Sequence, residues 1–239
     1  RVTFVFVSYV ERPVASPLVV CTWEQAAGTS REQRVVPDGS VDLIWTGARL
    51  ELAGPDTRAR VVTLASGLRL IGVRLRPGAA GVVLGLPVSE LRDVSADAGA
   101  VLGVDVVAAV LEALAAGEDP HALLFQFVAE RRARTPDPLI VAAVRDLGRP
   151  QARVGTVAAG LGVSERNLQR RINEAVGYGP KMLQRVLRFR RLQALGPAPL
   201  VELALKAGYA DQSHMTAEVT ALAGVSPVRF FKDNARPAT

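Results

Sequence analysis

The 239-residue sequence predicts an α+β chain, with a β-rich N-terminal part followed by an all-α C-terminal part that carries two helix-turn-helix units. Three observations predict it. Short runs of β-branched and aromatic residues, separated by turn residues, fill the first hundred positions. The apolar period becomes helical near Asp105, and from Pro138 onward glycines and capping residues punctuate the chain at helix-length intervals.

Strands are expected at residues 2–10, 18–23, 41–45, 61–64 and 68–75. Between them fall Pro37-Asp38-Gly39-Ser40, Gly54-Pro55-Asp56, Ser66-Gly67 and Pro77-Gly78, whose residue types favour tight turns. The result is an antiparallel sheet or small barrel. Val106, Val107, Val110, Leu111 and Leu114 then recur at helical spacing, Gly117 ends that run, and a second amphipathic run extends from Pro120 to about Arg134. This hairpin either packs on its own sheet or serves as a dimerisation element. The polar, proline-stiffened joint from Arg131 to Pro138 marks a boundary, which divides the chain into residues 1–104, 105–136 and 137–239.

Beyond the joint, seven helices are expected, at 138–147, 153–159, 165–176, 180–195, 199–207, 212–223 and 227–233. Gly148, Gly160, Gly177, Gly196, Gly208 and Gly224 stand where helices should end. Ser164, Asp211 and Ser226 stand at N-cap positions, and Pro180 and Pro227 at first helical positions.

Composition narrows the function classes. With 49% hydrophobic and 22% charged residues the chain is globular. Cys21 is the sole cysteine, and His121 and His214 are the sole histidines, so a multi-thiolate metal site is excluded, and no metal, cofactor or catalytic residue is expected. The apolar run at 2–10 is too short to cross a bilayer and is broken by Glu11, Arg12 and Pro13, so the expectation is no membrane span and a cytoplasmic location. The net charge of +6 is uneven: residues 1–136 carry −1 and residues 137–239 carry +7. That asymmetry points to a polyanionic partner for the C-terminal part.

The helical pattern supplies the means of reading one. A short helix, the turn Gly160-Leu161-Gly162-Val163 and a second helix capped by Ser164 form the first unit. In the second helix Leu168 and Ile172 face inward, leaving Arg166, Gln169, Arg170 and Asn173 outward. Arginine can bind guanine O6 and N7 bidentately, and the amides of Gln and Asn can do the same for adenine. Residues 200–207, the turn Gly208-Tyr209-Ala210 and residues 212–223 repeat the layout. Between the units, residues 180–195 make one rod of roughly 23 Å. Arg185, Arg188 and Arg191 on that rod form a row suited to phosphates or simply to water.

These residues resemble the AraC/XylS family of transcription regulators. The matching text is Gly162-Val163-Ser164-Glu165-Arg166-Asn167-Leu168-Gln169-Arg170-Arg171, Gly177-Tyr178-Gly179-Pro180-Lys181, Arg188-Phe189, Ala207-Gly208-Tyr209-Ala210-Asp211-Gln212-Ser213-His214 and Gly224-Val225-Ser226-Pro227. The resemblance implies sequence-specific binding of double-stranded DNA, with Arg166, Gln169 and Arg170 at base edges in the first unit and Gln212, Ser213 and His214 in the second. It also implies that the N-terminal domain senses a small-molecule effector or mediates homodimerisation; RNA polymerase is a candidate partner. Ala217 stands where the family usually has a basic residue and Val219 where it has an aromatic one, so the second unit is expected to read DNA more weakly. Trp23, Asp38, Asp42, Trp45 and Arg74 are candidates for an effector site, because aromatic walls with a few polar groups suit a small molecule; the alternative is that both tryptophans are core and Asp38 shapes a turn. The other function class, an enzyme such as a DNA-repair alkyltransferase fused to a DNA-binding domain, needs reactive thiols that one cysteine does not supply.

Overall fold

The computed structural model describes residues 7–131, 135–196 and 198–234. Residues 2–6 of the first expected strand and residues 132–134 of the joint lie outside the described residues.

Eight strands build the N-terminal part: β1 (Val7–Pro13), β2 (Val19–Ala27), β3 (Arg31–Val35), β4 (Val41–Trp45), β5 (Leu50–Ala53), β6 (Arg60–Leu64), β7 (Arg69–Leu75) and β8 (Ser95–Asp97). Six form one antiparallel sheet in the order β1-β2-β7-β4-β5-β8, while β3 and β6 pair separately. Alternation decides which side chains go where. Val41, Leu43 and Trp45 point to one face and join Ile71, Val73 and Leu75 in the apolar core. Asp42 sits beside Arg74 in the β4–β7 register, on the opposite face. There Trp23 lies directly on Gly72, where any Cβ would overlap the indole ring.

Helices α1 (Ala80–Leu84), α2 (Ala98–Leu102), α3 (Val104–Ala115) and α4 (Pro120–Glu130) follow or interrupt the strands, with a 3-10 helix at Val88–Leu91. Of the two readings of the α3–α4 hairpin, sheet packing is what the fold uses: Val107, Val110, Leu114, Leu124 and Val128 are buried in the same core as the strands. His121 of α4 reaches Glu24 of β2 at 3.3 Å. Strands β3, β5 and β8 and helices α1 and α2 are additions to the expected elements. Strand β3 reads Arg-Glu-Gln-Arg-Val and lacks the apolar signal, and the others span three to five residues.

The C-terminal part contains α5 (Pro138–Leu147), α6 (Val154–Gly160), α7 (Glu165–Val176), α8 (Pro180–Ala194), α9 (Leu200–Ala207), α10 (Gln212–Ala223) and α11 (Pro227–Asn234). All seven expected helices are present, each bound within one residue of its expected limits. Two of the expected glycine stops work differently: Gly148 has right-handed φ −73°, and Gly160 is the last residue of α6. Gly177 at the end of α7 does adopt the left-handed conformation, with φ +94°. A separate apolar core, from Ile140 to Phe230, holds these helices together around the stripe Pro180, Leu183, Val186, Phe189 and Leu192 of α8.

Because that core is drawn almost wholly from residues after the joint, a fragment of residues 135–239 is expected to fold alone. The start point matters. Asp137 accepts from the Leu139 amide at 2.9 Å and pairs with Arg171, so a fragment beginning at 138 forfeits an N-cap worth about 1 kcal/mol. Thermal melts of fragments starting at 135 and 138 check this; equal midpoints would remove the role of Asp137.

The two parts also meet directly. Arg92 donates to the Gly177 carbonyl at 2.5 Å and to Asn173 Oδ1 at 3.1 Å. Arg34 donates to the Ala223 carbonyl at 2.9 Å, and the Ala59 amide to the Leu222 carbonyl at 2.6 Å. Helix C-termini leave carbonyls without intrahelical donors, and here N-terminal groups satisfy them at the ends of both α7 and α10. Arg190 of α8 donates in the other direction, to the Asp38 carbonyl at 3.2 Å.

Candidate nucleic-acid interface

The first helix-turn-helix is α6, the turn through Ser164, and α7. Ser164 accepts from the Asn167 amide at 3.2 Å and starts α7 cleanly. Leu168, Ile172 and Val176 recur every four residues and are buried, which fixes the rotation of the helix. Arg166, Gln169 and Arg170 consequently face solvent. Arg166 has no ion-pair partner among the described residues. Arg170 is held by Glu174 at 3.1 Å, an exposed pair of small energetic weight that DNA can displace. The Gln169 amide lies over Gly179, at the turn into α8. Asn173, expected on the same reading face, is half-buried and engaged by Arg92 of the N-terminal part.

The second unit is α9, the turn at Gly208-Tyr209-Ala210, and α10. Asp211 caps α10 by accepting from the His214 amide at 2.7 Å. Gln212 and Ser213 are exposed in the first turn. His214 is partly exposed but engaged within the unit: its Nδ1 accepts from the Ala210 amide at 3.2 Å, its Nε2 faces Glu218 at 3.4 Å, and its ring meets Tyr209 edge-on. Both ring nitrogens are therefore engaged within the unit.

Glu218 organises more than His214. It also receives Arg185 at 3.4 Å and Arg188 at 2.9 Å, and the Arg188 guanidinium lies over the Tyr209 ring. Arg191, third in the row, donates to the Ala207 carbonyl at 2.8 Å and to the Gly148 carbonyl. The row thus ties α8 to the second unit. Arg153, before α6, and Lys181, at the start of α8, are exposed cations that the sequence reading did not single out.

On the N-terminal sheet, four of the five effector-site candidates come together. Asp42 accepts from Trp23 Nε1 and Arg74 Nε, both at 3.2 Å, and Arg74 also reaches Asp38 at 3.3 Å. Trp45 is not among them, since it packs against the core on the other face of β4. Two unforeseen members join: Glu11 accepts from Arg74 at 2.8 Å and from the Tyr9 hydroxyl at 2.6 Å. Ending the first strand at Val10 hid Glu11, which continues the period-two alternation from Tyr9 in a strand that runs to Pro13. One guanidinium thus serves three carboxylates, and burial pushes the Asp42 carboxyl up to about 6 despite Arg74. Burial also pushes the nearby Cys21 thiol up to about 11, which leaves it a poor nucleophile at neutral pH. Among the described residues no group of three or more His, Cys, Asp or Glu side chains is arranged to hold a metal ion, and no helix is long and apolar enough to cross a membrane.

Two capped helix-turn-helix units on one connecting helix, with an arginine-bearing face open to solvent, define a DNA-binding transcription regulator. Residues 157–233 match the family described as a helix-turn-helix domain, and residues 12–97 match a domain of unknown function, DUF6597. The helix-turn-helix domain at residues 157–233 is of the AraC type. No curated protein matches the sequence. Similar solved structures include the C-terminal domain of AraT, a response regulator from Geobacillus stearothermophilus, at 23% identity over 41% of this chain and 86% of that one, with a TM-score of 0.38. They also include an apo variant of ToxT from Vibrio cholerae, at 11% identity over 92% and 99% of the two chains, with a TM-score of 0.47. ToxT with an unsaturated fatty acid bound is similar at 11% identity over 95% and 94%, with a TM-score of 0.43.

Proposed function

We propose that α7 enters the major groove of operator DNA with Arg166 and Arg170 on guanine and Gln169 beside them, and that this unit dominates affinity. The observation that carries the reading is the open face of α7, set by the burial of Leu168, Ile172 and Val176. Beside the second unit the α8 cations are spent on Glu218, so Arg185 and Arg188 hold α10 in place first and meet phosphates second. Replacing Arg166 or Arg170 by alanine is expected to weaken cognate binding by about 1–3 kcal/mol and to relax preference at one base pair. Equal affinity of variant and parent across single-base variants of the site, at one fixed salt concentration, would sink the assignment.

The N-terminal domain serves as the regulatory part, sensing a small molecule at the face bearing Trp23, Asp38, Asp42 and Arg74 or pairing two copies of the chain. Asp38 supports the sensing role. Its carboxylate joins the Arg74 network while its carbonyl accepts from Arg190 on α8, so a change at that face reaches the helix between the two units. The regulator works without catalysis, in the cytoplasm, and through RNA polymerase at the promoter.

A further inference from the structure

The outward face of α10 carries a different chemistry from that of α7. Gln212, Ser213, Thr216, Ala217, Thr220 and Ala221 line one open groove along the helix. Spacing by four places Gln212, Thr216 and Thr220 in one row and Ser213, Ala217 and Ala221 in the next. None is charged. The single acid within α10, Glu218, is turned to α8 and held there by Arg185 and Arg188.

A neutral face gains little from counterion release and has no cation to fork onto guanine. What it offers is one amide in the first turn, hydroxyls that suit either base, and methyl groups. An amide reads adenine N6 and N7, and Thr or Ala methyls fit the thymine 5-methyl group. Cytosine and guanine present no such methyl in the major groove.

Resting on the proposed operator binding, we infer that the second helix-turn-helix is specific for A·T pairs, with Gln212 on adenine and Thr216 and Ala217 on thymine methyls. The operator is then composite: a guanine-containing half read by α7 and an A·T half about one helical turn away, read by α10. Asymmetry of the two heads becomes a division of labour rather than loss of one.

Operators selected in vitro with the full chain provide the test, with thymines replaced singly by uracil, which removes only the methyl group. In the α10 half, uracil is expected to lower affinity about four-fold at each contacted thymine, the value of burying one methyl group. In the α7 half, uracil changes nothing. Thr216→Ser, which removes the protein methyl and keeps the hydroxyl, should abolish the uracil effect at one position, with thermal melting used to verify that α10 remains folded. Uracil insensitivity throughout the second half, or a selected second half rich in G·C, overturns the inference while leaving operator binding intact. A footprint confined to the α7 half does the same. If no duplex is bound in a salt-dependent way, operator binding itself fails and the inference with it.

Discussion

Phe189→Ala is expected to destabilise the C-terminal part by about 3–5 kcal/mol, a large share of the 5–15 kcal/mol typical of a whole domain. Phe189 is fully buried at the middle of α8, and its ring meets that of Phe230 on α11 at 5.2 Å between centroids. The same buried stripe packs α8 against α5, α7, α9 and α10, so both helix-turn-helix units lean on this one helix. Truncation leaves a cavity that rigid helices close only in part, and it loosens both reading heads together. Urea unfolding followed by helical circular dichroism measures the cost, and DNA binding near physiological temperature should fall with it. A change below about 1 kcal/mol would show that the ring is not the keystone of this core. Phe189 was visible in the sequence as one of the resembling residues, but its central role was not, because it depends on α11 folding back across α8.

The second large effect is expected at Arg74. Arg74→Met keeps the aliphatic stem but strands Asp42, whose side chain is 18% exposed, together with the more exposed Asp38 and Glu11. Removing one partner of a buried ion pair costs about 3–5 kcal/mol, and the partial exposure of Glu11 places this case near the lower figure. The cost depends on pH, and its sign follows from linkage. Asp42 has a folded-state pKa of about 6, above its ordinary value of 3.8, so the folded state binds more protons than the unfolded one between those values. Stability therefore falls as pH rises through that window. Without the guanidinium the Asp42 carboxyl rises further, so the window extends upward and the variant loses more at pH 8 than at pH 5. Denaturant midpoints of parent and variant at those two pH values check it. A penalty that is the same at both, or larger at pH 5, contradicts the account.

The helical half was legible to within a residue because its signals are local. Ser164 and Asp211 satisfy amides three positions away, proline opens α5, α8 and α11, and the four-residue period of Leu168, Ile172 and Val176 needs no distant partner to set the face of α7. The sheet was legible only in part. Long alternating strands announced themselves, while β3, β5 and β8 are short or polar and exist because neighbouring strands supply hydrogen bonds.

The sequence by itself determined the class of protein, the two helix-turn-helix units and the outward placement of Arg166, Gln169 and Arg170. Tertiary structure alone decided which polar side chains remain available to DNA. Arginine, histidine and asparagine carry the same donors and acceptors whether they face a phosphate or a neighbouring helix, and the choice falls to whichever partner the fold brings within hydrogen-bond reach. Asn173 met Arg92 from the other part of the chain, His214 met Ala210 and Glu218, and Arg185 and Arg188 met Glu218 across the gap between α8 and α10. Each of these meetings, the local His214 contacts included, depends on turns and packing angles that residue spacing does not encode. The face of α10 shows both contributions: the sequence made its outward residues neutral, and packing drew the one neighbouring acid, Glu218, to α8.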